Sequence, residues 1–280
     1  MQPLSPNIRR LYLALFMFLF AAVIPAVIFY ADGWRYKSNY GFVRTGGIYI
    51  SVAYPDASVY FNGAVIGTSG FLDHTFYIGD LAPSSYIVHV EKNGYLSWDK
   101  LLTVDEQLVT DAKAVLIPKE TPAVRLIAVT SSASQSTATS TRIVPRATLT
   151  EYATIFAATT TASSTIPVDE QNGVGLFIEK GELLARWIQE NAFPPSQFCA
   201  RPSVCTDEIA LEKDRAVSRA FFFRGGAVYA TKAGDVYFKE VDVRDAPVSA
   251  LLFTTKNPDI RIIDDSLIVK SGTTFYEIAL

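Results

Sequence analysis

At 280 residues the chain has room for one membrane span and one or two globular domains. A formal net charge of −3 and the lack of any basic run leave no electrostatic footprint for nucleic acid. The 49% apolar fraction includes one dense N-terminal run, so the remainder has an ordinary water-facing composition whose many Tyr and Phe residues lean toward β structure.

Residues 1–10 read as a short cytoplasmic tail ending in Arg9 and Arg10. Leu11–Ala31 carries no charge, and as a helix it rises about 30 Å, enough to cross a bilayer's hydrocarbon core. Pro25 is tolerated in such spans because neighbouring groups re-satisfy the freed carbonyl. The alternative, a cleaved signal peptide, has a shorter apolar core of about 7–15 residues, and Phe29-Tyr30-Ala31 offers a bulky ring where the cleavage site wants a small side chain. We therefore expect an uncleaved anchor, with the lipid bilayer as partner through residues 11–31. Arg9 and Arg10 on one side, and Trp34 and Tyr36 on the other, are the expected membrane-interface residues. Charge alone orients the span weakly, because Arg35, Lys37 and Arg44 balance Arg9, Arg10 and the α-amine.

Residues 32–45 form a polar and aromatic juxtamembrane segment. From Gly46 the pattern alternates with period two, and turn signals follow at Pro55-Asp56, Asn62-Gly63, Gly79-Asp80, Pro83-Ser84 and Asn93-Gly94. Strands are expected at Ser58–Phe61, Ala64–Gly67, Thr75–Ile78, Tyr86–Glu91, Trp98–Val104 and Asp111–Ile117, which together suggest a compact β-sandwich.

The order of Pro55, Ala57, Val59, Tyr60, Asn62-Gly63 and Gly67, then Leu81-Ala82-Pro83, Tyr86–Val90 and Asn93-Gly94-Tyr95, resembles a PEGA domain over residues 46–119. The naming tetrapeptide is shortened to Pro55-Asp56-Ala57, and Ser85 stands where the family has Gly. The resemblance implies a small extracytoplasmic β-sandwich module with a structural or binding role and no catalytic residue.

Residues 120–168 are Ser/Thr-rich and poor in large apolar side chains, and read as a linker, although Ala123–Val129 and Ala153–Ala157 could be strands. Alternation returns over residues 169–280. Val174–Ile188 reads as a hairpin turning at Glu179–Gly181, and residues 227–242 match 266–280 at a spacing of about 40 residues, near the period of propeller blades. This part resembles the propeller-like repeats that often follow PEGA modules, although a closed propeller needs at least four blades. The expected fold is thus all-β in its soluble part, a PEGA-like sandwich plus propeller-like repeats on a single transmembrane helix.

Cys199 and Cys205 are the chain's two cysteines, and the two histidines, His74 and His89, lie far from them in sequence, so a disulfide across a short loop is expected rather than a zinc site. That loop would be an insertion between repeats, and its oxidation tips the orientation toward a cytoplasmic N-terminus and extracytoplasmic β domains. No catalytic, cofactor-binding or metal-ligating residue is expected. His89 has no motif supplying a nucleophile and orienting carboxylate, Asp207-Glu208 and Asp264-Asp265 read as solvated turns, and Gly225-Gly226 as a hairpin turn. Trp34, Trp98 and Trp187 could form a sugar-stacking platform only if they met in space.

The expected function is a non-enzymatic, membrane-anchored display or interaction module of the cell envelope, with a protein or glycan partner. Two alternatives stay open: an envelope hydrolase, marked by two carboxylates about 5–9 Å apart in a cleft, and a cytoplasmic-facing sensor with reduced cysteines.

Overall fold

The structure, a computed structural model, describes residues 6–38, 40–128, 141–157 and 166–280. Helix α1 (Pro6–Ala31) runs unbroken through Pro25, buries none of its residues, and is apolar and long enough to cross a membrane, with a mean hydropathy of 2.6 over its core window. Arg9 and Arg10 lie in the first turns of this helix, because nothing between Pro6 and Leu11 breaks a helix. Residues 1–5 lie outside the described residues.

The segment after α1 is a hairpin. Strands β1 (Trp34–Lys37) and β2 (Gly41–Arg44) pair antiparallel, with Trp34 opposite Arg44 and Tyr36 opposite Phe42. Alternating aromatic and basic residues on either side of Gly41, which takes φ +71°, suit a short two-faced ribbon.

A two-sheet unit follows: β3 (Gly46–Val52), β4 (Ser58–Phe61), β5 (Ala64–Thr68), β6 (Thr75–Leu81), β7 (Ser84–Glu91), β8 (Trp98–Val104) and β9 (Val109–Ala114). One sheet is ordered β6-β3-β9 and the other β5-β4-β7-β8, and β9 runs parallel to β3. The period-two pattern places Ile48, Ile50 and Val52 of the first sheet in one core with Val59, Val88, Val90, Trp98 and Leu102 of the second. Two details differ from expectation. Gly79-Asp80 lies inside β6, where Asp80 at φ 56° makes a bulge against β3 instead of a turn. The last strand ends at Ala114, and Val115–Ile117 are buried beyond it.

The described part of the Ser/Thr-rich region is ordered. It holds β10 (Ala123–Ala128), β11 (Thr141–Val144) and α2 (Arg146–Ala157), while most of the Ser/Thr tracts, residues 129–140 and 158–165, lie outside the described residues. Ala153–Ala157 is thus helical rather than a strand. Leu149, Tyr152 and Phe156 recur at helical spacing and pack with Leu126, Val144, Ile268 and Phe275.

Three sheets complete the chain. The first contains β12 (Asp169–Gln171), β13 (Val174–Glu179), β14 (Glu182–Trp187) and, after the small ribbon β15 (Cys199–Arg201) and β16 (Val204–Cys205), β17 (Glu208–Glu212). The second is the meander β18 (Val217–Phe223), β19 (Gly226–Thr231), β20 (Asp235–Glu240) and β21 (Ser249–Thr254). The third orders β22 (Asp259–Ile263), β23 (Ser266–Ser271) and β24 (Thr274–Ile278) beside β10, with β11 at its edge.

The matched segments occupy equivalent hairpins, β19–β20 and β23–β24. No propeller is formed: among the described residues these sheets fall short of four blades. The cysteine ribbon is inserted within a sheet, between β14 and β17, and not between repeats. The largest core cluster continues from Trp98, Leu102 and Val115 into Phe223, Val228, Phe238, Leu252 and Val269, so the two-sheet unit and the C-terminal sheets are packed together.

Candidate functional site

The seam between these two parts contains a polar cleft of about 590 Å³. Ser51, Asp111 and Lys113 line it from the two-sheet unit, and Ser196, Arg224, Glu240, Asp242 and Arg244 from the C-terminal sheets.

A buried charge network closes its floor. Alternation along β8 sends Trp98, Lys100 and Leu102 to the same inner face, so Lys100 stands where a hydrophobe is expected and is fully buried. Its Nζ lies 3.1 Å from Glu240 Oε2 and 3.6 Å from Asp242 Oδ2, within ion-pairing range though not aligned as a hydrogen bond. Trp98 Nε1 donates to Glu240 Oε1 at 2.8 Å, and the Val248 amide donates to Glu240 Oε2 at 2.9 Å. Asp242 accepts Arg244 Nε and Nη2 at 2.9 and 2.7 Å, and Arg244 Nη1 crosses the seam to the Asp111 carbonyl at 2.8 Å. Two cations and two carboxylates therefore balance among buried side chains at the cleft wall, Lys100 by ion pairing and the other three by hydrogen bonds. Ser196 Oγ donates to Asp111 Oδ2 at 3.1 Å, and the Ser203 amide donates to Asp105 at 3.0 Å, extending the seam to the cysteine ribbon.

Cys199 and Cys205 form a disulfide and face each other across β15–β16. The side chains on the exposed sheet face hold a second polar cluster. His89 Nδ1 is 2.6 Å from Asp99 Oδ1, the residue opposite it on β8, and Nε2 is 3.5 Å from Glu91 Oε2. Burial disfavours the charged imidazole, but the hydrogen bonds to Asp99 and Glu91 outweigh it and hold the His89 pKa above its ordinary value. An orienting carboxylate is therefore present, supplied by strand pairing rather than by a local motif. Ser97 donates to that same Asp99, and Glu91 rather than a nucleophile faces the other ring nitrogen.

Within the C-terminal sheets, Glu212 is buried. Its burial would raise the carboxyl pKa, but donors from the Tyr229 hydroxyl, the Asp214 amide and Arg215 overcome that and hold it at about 2. Burial and the Glu212 carboxylate together push Tyr229 well above the usual phenol range.

Other expected positions separate in space. Trp98 is in the core, Trp34 packs on Phe29 at the end of α1, and Trp187 Nε1 donates to the Ala192 carbonyl, so they share no stacking platform. Glu208 pairs with Arg186, and Asp264-Asp265 forms the β22–β23 turn. The Gly225-Gly226 turn is centred on Arg224-Gly225, and Gly226 starts β19. Among the described residues no group of three or more His, Cys, Asp or Glu could hold a metal ion.

No family model matches the chain. No curated protein matches it. The network's members were hidden in sequence because they lie far apart, Trp98 and Lys100 on one strand and Glu240, Asp242 and Arg244 well beyond. The available signal was Lys100 itself, a cation on the apolar phase of an alternating strand.

Proposed function

We propose that this chain is a single-pass envelope protein with a cytoplasmic N-terminus, whose α1 spans the membrane and whose β units work outside it as a structural or interaction module. The observation that carries this reading is the Cys199–Cys205 disulfide downstream of an apolar helix with no buried residue, since structural disulfides belong to oxidising compartments. The two-sheet unit then serves as a PEGA-like β-sandwich at the bilayer. The blade-like C-terminal sheets are packed along its side, and together they present loops and the seam cleft to an envelope protein or glycan. The mechanism is geometric: tethering raises the local concentration of the module at the surface.

The pairing of two of the cleft's acids supports a non-enzymatic role. Glu240 and Asp242 accept from Trp98, the Val248 amide and Arg244 and sit against Lys100, which leaves neither placed as a free acid or base.

The test is protease digestion of intact cells combined with thiol alkylation. The β units should be cut without lysis, and Cys199 and Cys205 should alkylate only after reduction. Digestion confined to lysed cells, or free thiols in whole cells, would overturn the assignment.

A further inference from the structure

The β1–β2 hairpin has two unlike faces. On one, Arg35 Nε lies 3.0 Å from Asp80 of β6, and its guanidinium stacks 3.7 Å over the Tyr30 ring. The hairpin's base is fixed as well: Gln107 Nε2 donates to the Asp32 carbonyl and to Asp32 Oδ1, both at 3.0 Å, and Arg44 Nη2 lies 2.7 Å from Asp32 Oδ2. These ties clamp the ribbon between the helix end and the two-sheet unit.

The other face carries Trp34, Tyr36, Phe42 and Arg44, which strand alternation and the register put on one side. Tyr36 and Phe42 meet edge to face at 5.4 Å, yet they remain 69% and 72% exposed. Arg44 lies over Trp34 at 5.3 Å, and Trp34 packs on Phe29 of the apolar helix at 5.9 Å. An aromatic surface is thus continuous with the lipid-facing surface of α1 and turned away from the protein's own core.

The geometry points to a membrane foot: the Trp34–Tyr36–Phe42 face beds in the headgroup boundary of the bilayer that α1 crosses, and fixes the tilt of the two-sheet unit above it. Aromatic rings with a nearby cation suit that boundary, where one end is apolar and the other wet. This rests on the proposal that α1 spans the membrane.

The full chain is reconstituted in phosphatidylcholine–phosphatidylglycerol vesicles whose phosphatidylcholine is brominated either high on its acyl chains or near their ends. Trp34→Phe supplies the background, and a tryptophan is placed on the foot (Phe42→Trp, or Tyr36→Trp as a second probe) or on the opposite face (Lys37→Trp). The foot probes should be quenched by shallow bromine at least about two-fold more than the Lys37→Trp probe. Equal quenching of the two faces, or none, overturns the foot while the span stands. Loss of the chain from vesicles on alkaline carbonate washing instead removes the span, and the foot with it.

Discussion

Replacing Lys100 by Met removes the ammonium at the centre of the seam while keeping an unbranched chain of similar length. Lys100 is wholly buried 3.1 Å from Glu240, so the change leaves one uncompensated negative charge among buried side chains. Breaking a buried pair in this way typically costs about 3–5 kcal/mol. The lower end is expected here, about 3 kcal/mol, because Glu240 keeps its bonds from Trp98 and the Val248 amide and Asp242 keeps Arg244. That is a large fraction of the roughly 5–15 kcal/mol by which folded domains are stable. Urea unfolding of the full chain in detergent, followed by tryptophan emission, measures the loss. The companion variant K100M/E240Q removes the stranded charge but turns an amide nitrogen on one of the two N–H donors that Glu240 accepts from, so it should recover about 1 kcal/mol. A loss below about 1 kcal/mol for Lys100→Met, or a double variant no more stable than the single one, would refute the reading of this cluster as a charge lock.

Glu212 makes stability pH-dependent in the acid range. Its folded pKa of about 2 lies below the ordinary 4.5, so its contribution is complete above about pH 4.5 and fades as the pH falls toward about 2. The difference corresponds to about 3 kcal/mol, and E212Q should flatten the stability profile measured by denaturation across that window. Converting Cys199 and Cys205 to Ser opens a small ring and should cost about 2 kcal/mol, read as a shift in urea midpoint with unchanged slope. Gly226→Ala should cost about 1–3 kcal/mol by the same assay, because a Cβ there would meet Phe238 Cζ at 2.3 Å and the Lys239 carbonyl at 2.6 Å.

What the sequence disclosed was whatever its local pattern determines. The uncharged run announced α1, period-two alternation placed the strands from Ile48 to Val104, and Asn62-Gly63 marked a tight turn whose two residues both take positive φ. The cysteine pair was legible because its residues are near neighbours in the chain. Longer-range pairings were not. β10 belongs with β24, and β9 with β3 in parallel, and neither pairing leaves a mark in the intervening residues. The helical spacing of Leu149, Tyr152 and Phe156 was masked by the Ser/Thr-rich composition around it. The seam depended on Lys100 being read by its phase in the strand instead of by its charge. His89 likewise gained Asp99 only once the strands were paired in register.

The pairing of Ala123 with Ile278 has a consequence for how the molecule is made. A ribosome delivers β10 long before β24, so their pairing cannot form until β24 has emerged, and until then β10 has only β11 beside it, with its other edge open. Nascent chains stalled short of that point would carry an open strand edge, a natural handle for a holdase and a hazard where no holdase is present.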